Sequence, residues 1–183
     1  MGAIGRLKAY WAARVNRTAD PAWELYRLIA TPAVQPERLA LFGLEDSPEC
    51  RFELLALHLA AAWARMNAGG PDVRRMRRSV GDAFVADMDA SLRDLGAGDL
   101  GVGKRVKALT ERLYGRLAIY APAFADGSDA AAVEDALARN LYKQGLPDDP
   151  KALARAAAEV GRLGALWRGH ADSNIVDGKA PVL

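Results

Sequence analysis

Residues 96–107 read GAGDLGVGKRVK, and these glycines and cations are the first side chains whose types and spacing suggest chemistry. Gly96, Gly98 and Gly101 spell a literal G-x-G-x-x-G, and residues 98–104 approach a phosphate-binding loop that ends in Lys104. Neither has its required setting. A dinucleotide fingerprint follows a strand, whereas the residues before Gly96 have helical period; a phosphate loop needs Ser or Thr after its lysine, and here Arg105 stands there. The glycines read instead as an elbow that lets two helices turn and pack closely. Asp87 and Asp89, two apart on a helix, point to different faces and do not form an acid/base pair. His58 and His170 share no metal-ligand spacing, His58 reads as a hydrogen-bonded core residue, and Cys50 has no nucleophile context. The residues therefore suggest a protein that is not an enzyme and takes no cofactor or metal.

The elements that must carry these residues are helical. Alanine, leucine and arginine are abundant and β-branched residues sparse, a balance that favours helix. The length of 183 residues suits one core. The expected fold is an all-α, irregular single-domain bundle of about six to eight helices with no sheet. Residues 3–18 place Ile4, Leu7, Trp11 and Val15 at helical spacing and carry Arg6, Lys8, Arg14 and Arg17 with no acid before Asp20. This basic amphipathic helix over 1–19 resembles a transit peptide or a membrane-surface helix, and its plainer role is docking on the bundle. The helical domain proper is expected over 20–170, with 171–183 a disordered tail.

Within that domain, Asp20-Pro21 is a cap followed by a first-turn proline, opening a helix to about Ile29 that Thr31, Pro32 and Pro36 break. A short turn over 37–42 ends at Gly43. Ser47-Pro48 opens the most apolar helix, which ends near Asn67 and must be surrounded by others. Asp72 is expected to cap a helix whose buried face is Val73, Met76, Val80 and Phe84, ending at Gly96. After the elbow, Asp99 is placed to cap a helix with Val102, Val106, Leu109, Leu113 and Leu117 on its stripe. Ser128 is expected to cap a helix over 129–143, and Leu153, Val160, Leu163 and Trp167 mark a last one. No apolar run approaches the roughly 20 residues of a membrane span.

Charge narrows the function classes. With 25 basic and 23 acidic residues the net charge is only +2, so any nucleic-acid or membrane surface must be local. Arg74, Arg75, Arg77 and Arg78 could join Lys104, Arg105 and Lys107 in a basic patch if the helices before and after the elbow lie side by side. That patch would suit RNA phosphates or anionic lipid head groups, so the alternative function is a peripheral membrane or RNA-binding helical module. A single cysteine rules out an intrachain disulfide and fits a reducing compartment.

One longer pattern is more specific. Asp87-Met88-Asp89, Leu92-Arg93, GAGDLGVGKRVK over 96–107, Tyr114-Gly115-Arg116 and Tyr120 occur in an order that resembles the ubiquinol-cytochrome c chaperone family. Arg51-Phe52-Glu53, Leu57-His58 and the run Arg139-Asn140-Leu141-Tyr142 extend the resemblance over roughly residues 26–142. It departs at Cys50, Asp94, Leu95 and Leu113, all compatible with helix. The resemblance implies a non-enzymatic assembly factor for ubiquinol-cytochrome c reductase that binds newly synthesised cytochrome b and no DNA. Further contacts it implies are a small partner protein, a ribosome or an anionic membrane surface. It implies a cytoplasmic location, peripheral at the inner face of the membrane in a bacterial member, or the mitochondrial matrix if eukaryotic. Asp89, Arg93, Asp99, Lys104, Lys107, Tyr114, Arg116 and Tyr120 are then the expected partner-binding surface, beside an apolar groove near the elbow.

Overall fold

The computed structural model describes residues 20–94, 99–125, 127–143, 145, 147, 149 and 151–182, with backbone alone at 99 and 100. The expected helix over 3–18 and the elbow residues Leu95, Gly96 and Gly98 lie outside the described residues.

Asp20 accepts a 2.9 Å hydrogen bond from the Ala22 amide and Pro21 fills the next position, so α1 (Pro21–Ala33) starts at the cap-plus-proline signal. It does not stop near Ile29. The helix runs through Pro32, which in a last turn gives up only one backbone hydrogen bond, while Ala33 beyond it is fully buried. α2 (Pro36–Leu41) is the short turn, closed where Gly43 takes the left-handed conformation, φ +65°. Ser47 then caps α3 (Pro48–Ala68) by accepting from the Cys50 amide at 3.2 Å.

Leu54, Ala56, Leu57, Leu59 and Ala60 of α3 are all inaccessible, which no single helix face could provide. After α3 the chain forms α4 (Pro71–Asp94), α5 (Asp99–Tyr120), a 3-10 turn (Ala121–Phe124), α6 (Ala130–Asn140), α7 (Ala152–Arg168) and α8 (Asp172–Val176). α1, α2, α4, α5, α7 and the 3-10 turn all touch α3, and α6 packs on α7. Each fully buried leucine contributes about 2 kcal/mol. The described residues contain no strand, and the architecture is a single all-helical domain. His58 sits inside it, its Nδ1 donating to the Leu54 carbonyl at 2.9 Å, and burial pushes its pKa down to about 4 so that the ring is neutral.

Three further expectations differ from the structure. Asp72 lies inside the first turn of α4, paired with Arg75, and does not precede it. Asp129, not Ser128, caps α6 by accepting from Ala131 at 3.1 Å, and that helix ends at Asn140. The segment expected to be a disordered tail contains α8. Asp172 binds Arg65 at 2.5 Å and the Gly70 amide at 3.1 Å, and Ile175 is inaccessible. Gly178 stands beyond α8 at φ +77°, where a Cβ would come within 2.5 Å of the Pro21 carbonyl oxygen. A five-residue helix with one buried apolar side chain is too short to show as periodicity.

Candidate functional site

Glu49, Phe52 and Glu53 occupy one face of α3, and Arg112, Arg116 and Tyr120 occupy one face of α5, each set at helical spacing. The two faces meet. Arg112 donates to Glu53 at 2.6 Å and to Glu49 at 2.5 and 2.9 Å, its guanidinium lying 4.1 Å from the centre of the Phe52 ring. Arg116 donates to the other Glu53 oxygen at 2.7 Å, and the Tyr120 hydroxyl lies 3.4 Å from it. Glu53 is 1% exposed, a buried charge held by two cations and a phenol. Lys143 adds a second cation on Glu49, the third of the network, and the hydrogen bonds from Arg112 and Lys143 hold the Glu49 carboxyl down at about 2.

Glu49, Phe52 and Arg112 of this network also line a groove of about 590 Å³ between α1, α3, α4 and α5. Ala30, Val34, Phe52, Leu55, Met88, Leu92 and Leu109 give it an apolar lining, with Thr31, Glu49, Arg51, Asp87, Ser91 and Arg112 among the polar residues around them. Its wall near the end of α4 includes Tyr26, whose hydroxyl donates to Asp87 at 2.7 Å. Burial first, then the adjacent carboxylate, keeps that phenol well above its ordinary pKa. Arg51 is fixed by Asp46 at 2.6 and 2.8 Å and by the Val34 carbonyl at 2.7 Å. Most charge here is already paired, so the arrangement favours holding an apolar partner.

The residues expected to form a partner surface separate into groups. Asp89 pairs with Arg93 at 2.9 Å on α4, and Lys104 and Lys107 are exposed on α5, Lys107 reaching Glu111 at 3.7 Å. The Asp99 backbone begins α5; its side chain lies outside the described residues. Tyr114 is half exposed, its ring set edgewise on Trp63 at 6.1 Å, and a Cβ at Gly81 would come within 2.8 Å of its hydroxyl. Tyr120 is inaccessible and Arg116 points inward, so these two belong to the Glu53 network and not to an exposed surface. Glu53, Arg112 and Asp87 are not among the residues that the sequence alone marks as a partner surface; a lone carboxylate in an apolar helix is the signal that demands a cationic partner.

The basic patch does not assemble. Gly81 faces Tyr114, and Met88 and Leu92 share a groove wall with Leu109, the order of an antiparallel pair. Arg77 lies four residues before Gly81 and Lys104 ten before Tyr114, directions opposite in space, which separates them by roughly 20 Å at 1.5 Å per residue. The arginines are also engaged locally. Arg74 donates to the Gly69 carbonyl at 2.5 Å, Arg75 pairs with Asp72, and Arg77 binds Asn67 and lies 5.8 Å from the Trp63 ring centre. Arg78 and Arg105 are exposed at the two separated ends.

Over residues 40–181 the sequence matches the family model described as ubiquinol-cytochrome C chaperone. No curated protein matches. The crystal structure of the Cbp3 homolog from Brucella abortus is similar with a TM-score of 0.73 and 32% sequence identity, covering 96% of either chain. The matched region includes α3, α4 and α5, the Glu53 network and most of the groove lining, and the chain belongs to the ubiquinol-cytochrome c chaperone family.

Proposed function

We propose that this protein is a non-enzymatic assembly factor that holds immature cytochrome b for ubiquinol-cytochrome c reductase, with the client's apolar residues in the groove between α1, α3, α4 and α5. The observation that carries this reading is the groove itself. It is about 590 Å³, lined largely by apolar side chains, and Glu49, Arg51 and Arg112 along it are paired within the protein and so do not need the client for neutralisation. Newly made membrane segments aggregate in water because their apolar surface is exposed, and a groove that covers part of it lowers that risk.

No described helix is long and apolar enough to cross a membrane. We place the protein on the cytoplasmic side, meeting the client at the inner face of the membrane, with the exposed Lys104, Arg105 and Lys107 of α5 oriented toward an anionic partner such as lipid head groups or a ribosome. A small partner protein would complete the assembly. The reading as an RNA-binding or membrane module built on the joined basic patch loses its basis, because the two halves lie apart and three of the four α4 arginines are bonded locally.

Leu92 and Leu109 are only partly buried, so Leu92→Glu and Leu109→Glu place charge in the groove without opening the core. Affinity capture of tagged protein from cells making cytochrome b is expected to recover the client with the unaltered chain and to lose most of it with either variant at unchanged helicity. Equal recovery contradicts the groove as the holding site.

A further inference from the structure

Asp87 differs from the other charges along the groove. Glu49 is bound by Arg112 and Lys143, Arg51 by Asp46, and Arg112 by Glu49 and Glu53. Among the described residues Asp87 has one hydrogen-bond partner, the neutral Tyr26 hydroxyl, 2.7 Å from Oδ2. An ionised carboxylate offers about four acceptor sites, so this one has capacity left. It also lies beside apolar side chains, where attraction to an opposite charge is stronger than in open water.

We propose that the groove takes one end of a membrane-spanning segment: a short apolar stretch followed by a lysine or arginine whose cation meets Asp87. The proposal rests on the groove being the client site. Its size limits the occupant. At about 590 Å³ the groove lies in the range that encloses a drug-sized apolar ligand (about 300–1,000 Å³), enough for a few large side chains and far less than a span of about 20 residues. Its charge limits the occupant further. The cytoplasmic ends of membrane spans carry an excess of Lys and Arg beside apolar residues, which is the combination that an apolar groove with one underused carboxylate complements. Asp87 is therefore a specificity residue, and the Tyr26 hydroxyl positions it.

Two labelled peptides test this on the full chain by fluorescence anisotropy. One has four leucines at helical spacing followed by a lysine, and the other has glutamine in place of the lysine. The unaltered protein is expected to bind the lysine peptide about five-fold more tightly, the upper end for one partly exposed charge pair. Asp87→Asn, which still accepts from Tyr26, is expected to bind both peptides with the affinity of the glutamine one; Asp87→Glu is expected to keep the preference. Equal binding of the two peptides by the unaltered protein overturns the proposal and leaves the groove reading standing, as does a preference that survives in Asp87→Asn. Failure of both peptides to bind, or binding that Leu92→Glu does not weaken, overturns the groove reading itself. If an unlabelled peptide of residues 1–19 displaces the lysine peptide as effectively as unlabelled lysine peptide does, the occupant is this chain's own basic N-terminal segment and the proposal is overturned.

Discussion

Glu53 of α3 and Arg116 of α5 meet at 2.7 Å, with the carboxylate 1% exposed and the arginine side chain 18% exposed. Removing one partner of such a pair strands a charge away from water, at a cost of about 3 kcal/mol. Glu53→Ala is expected to lower the urea midpoint accordingly. Arg116→Met is expected to cost less, since Arg112 still binds Glu53 at 2.6 Å. Equal, near-zero effects in both variants would show the pair to be dispensable for the fold.

The C-terminal clasp makes a separate claim on stability. Gly178→Ala asks an L-residue to adopt φ +77° and places a methyl group 2.5 Å from the Pro21 carbonyl oxygen, a backbone atom that cannot swing aside. A loss of about 2 kcal/mol in thermal or urea unfolding is expected, with faster amide exchange at α8 and at the start of α1. An unchanged exchange pattern would mean that the clasp does not hold α1.

Stability should fall in two steps as pH is lowered. Burial holds His58 near 4 in the folded chain against an ordinary value of 6.5, so between those values the unfolded state binds the extra proton and stability declines as pH falls. Glu49, held down at about 2 against 4.5, retains its contribution above about pH 4.5 and loses it as pH falls toward 2. His58→Leu is expected to flatten the upper step and Glu49→Gln the lower. Chemical denaturation measured between about pH 7 and 2.5 checks both, and an unaltered slope in either variant contradicts its assignment.

Much of this fold could be read from local chemistry. Asp20-Pro21 and Ser47-Pro48 mark two helix starts because a side-chain cap and a proline with no amide to satisfy act within one turn. The continuous burial of α3 could be read from its lack of a polar face. Long-range pairing was not legible: which positions of α5 face Glu53 depends on how the helices cross, so Arg116 and Tyr120 read as surface when they are inside. The basic patch failed for the same reason, since neighbouring helices do not bring chosen residues together unless the register allows it. The groove near the elbow was expected in kind; Asp87 as its underused charge needed coordinates, because its hydrogen bond to Tyr26 spans 61 residues.

Photo-crosslinking from within the groove tests the central claim most directly. A photoreactive amino acid placed at Leu92 of the full chain, in cells synthesising cytochrome b, is expected to yield a cytochrome b adduct that the same group at exposed Arg78, on the far end of α4, does not. Adducts of equal yield at both positions, or none at Leu92 while cytochrome b is being made, would contradict it.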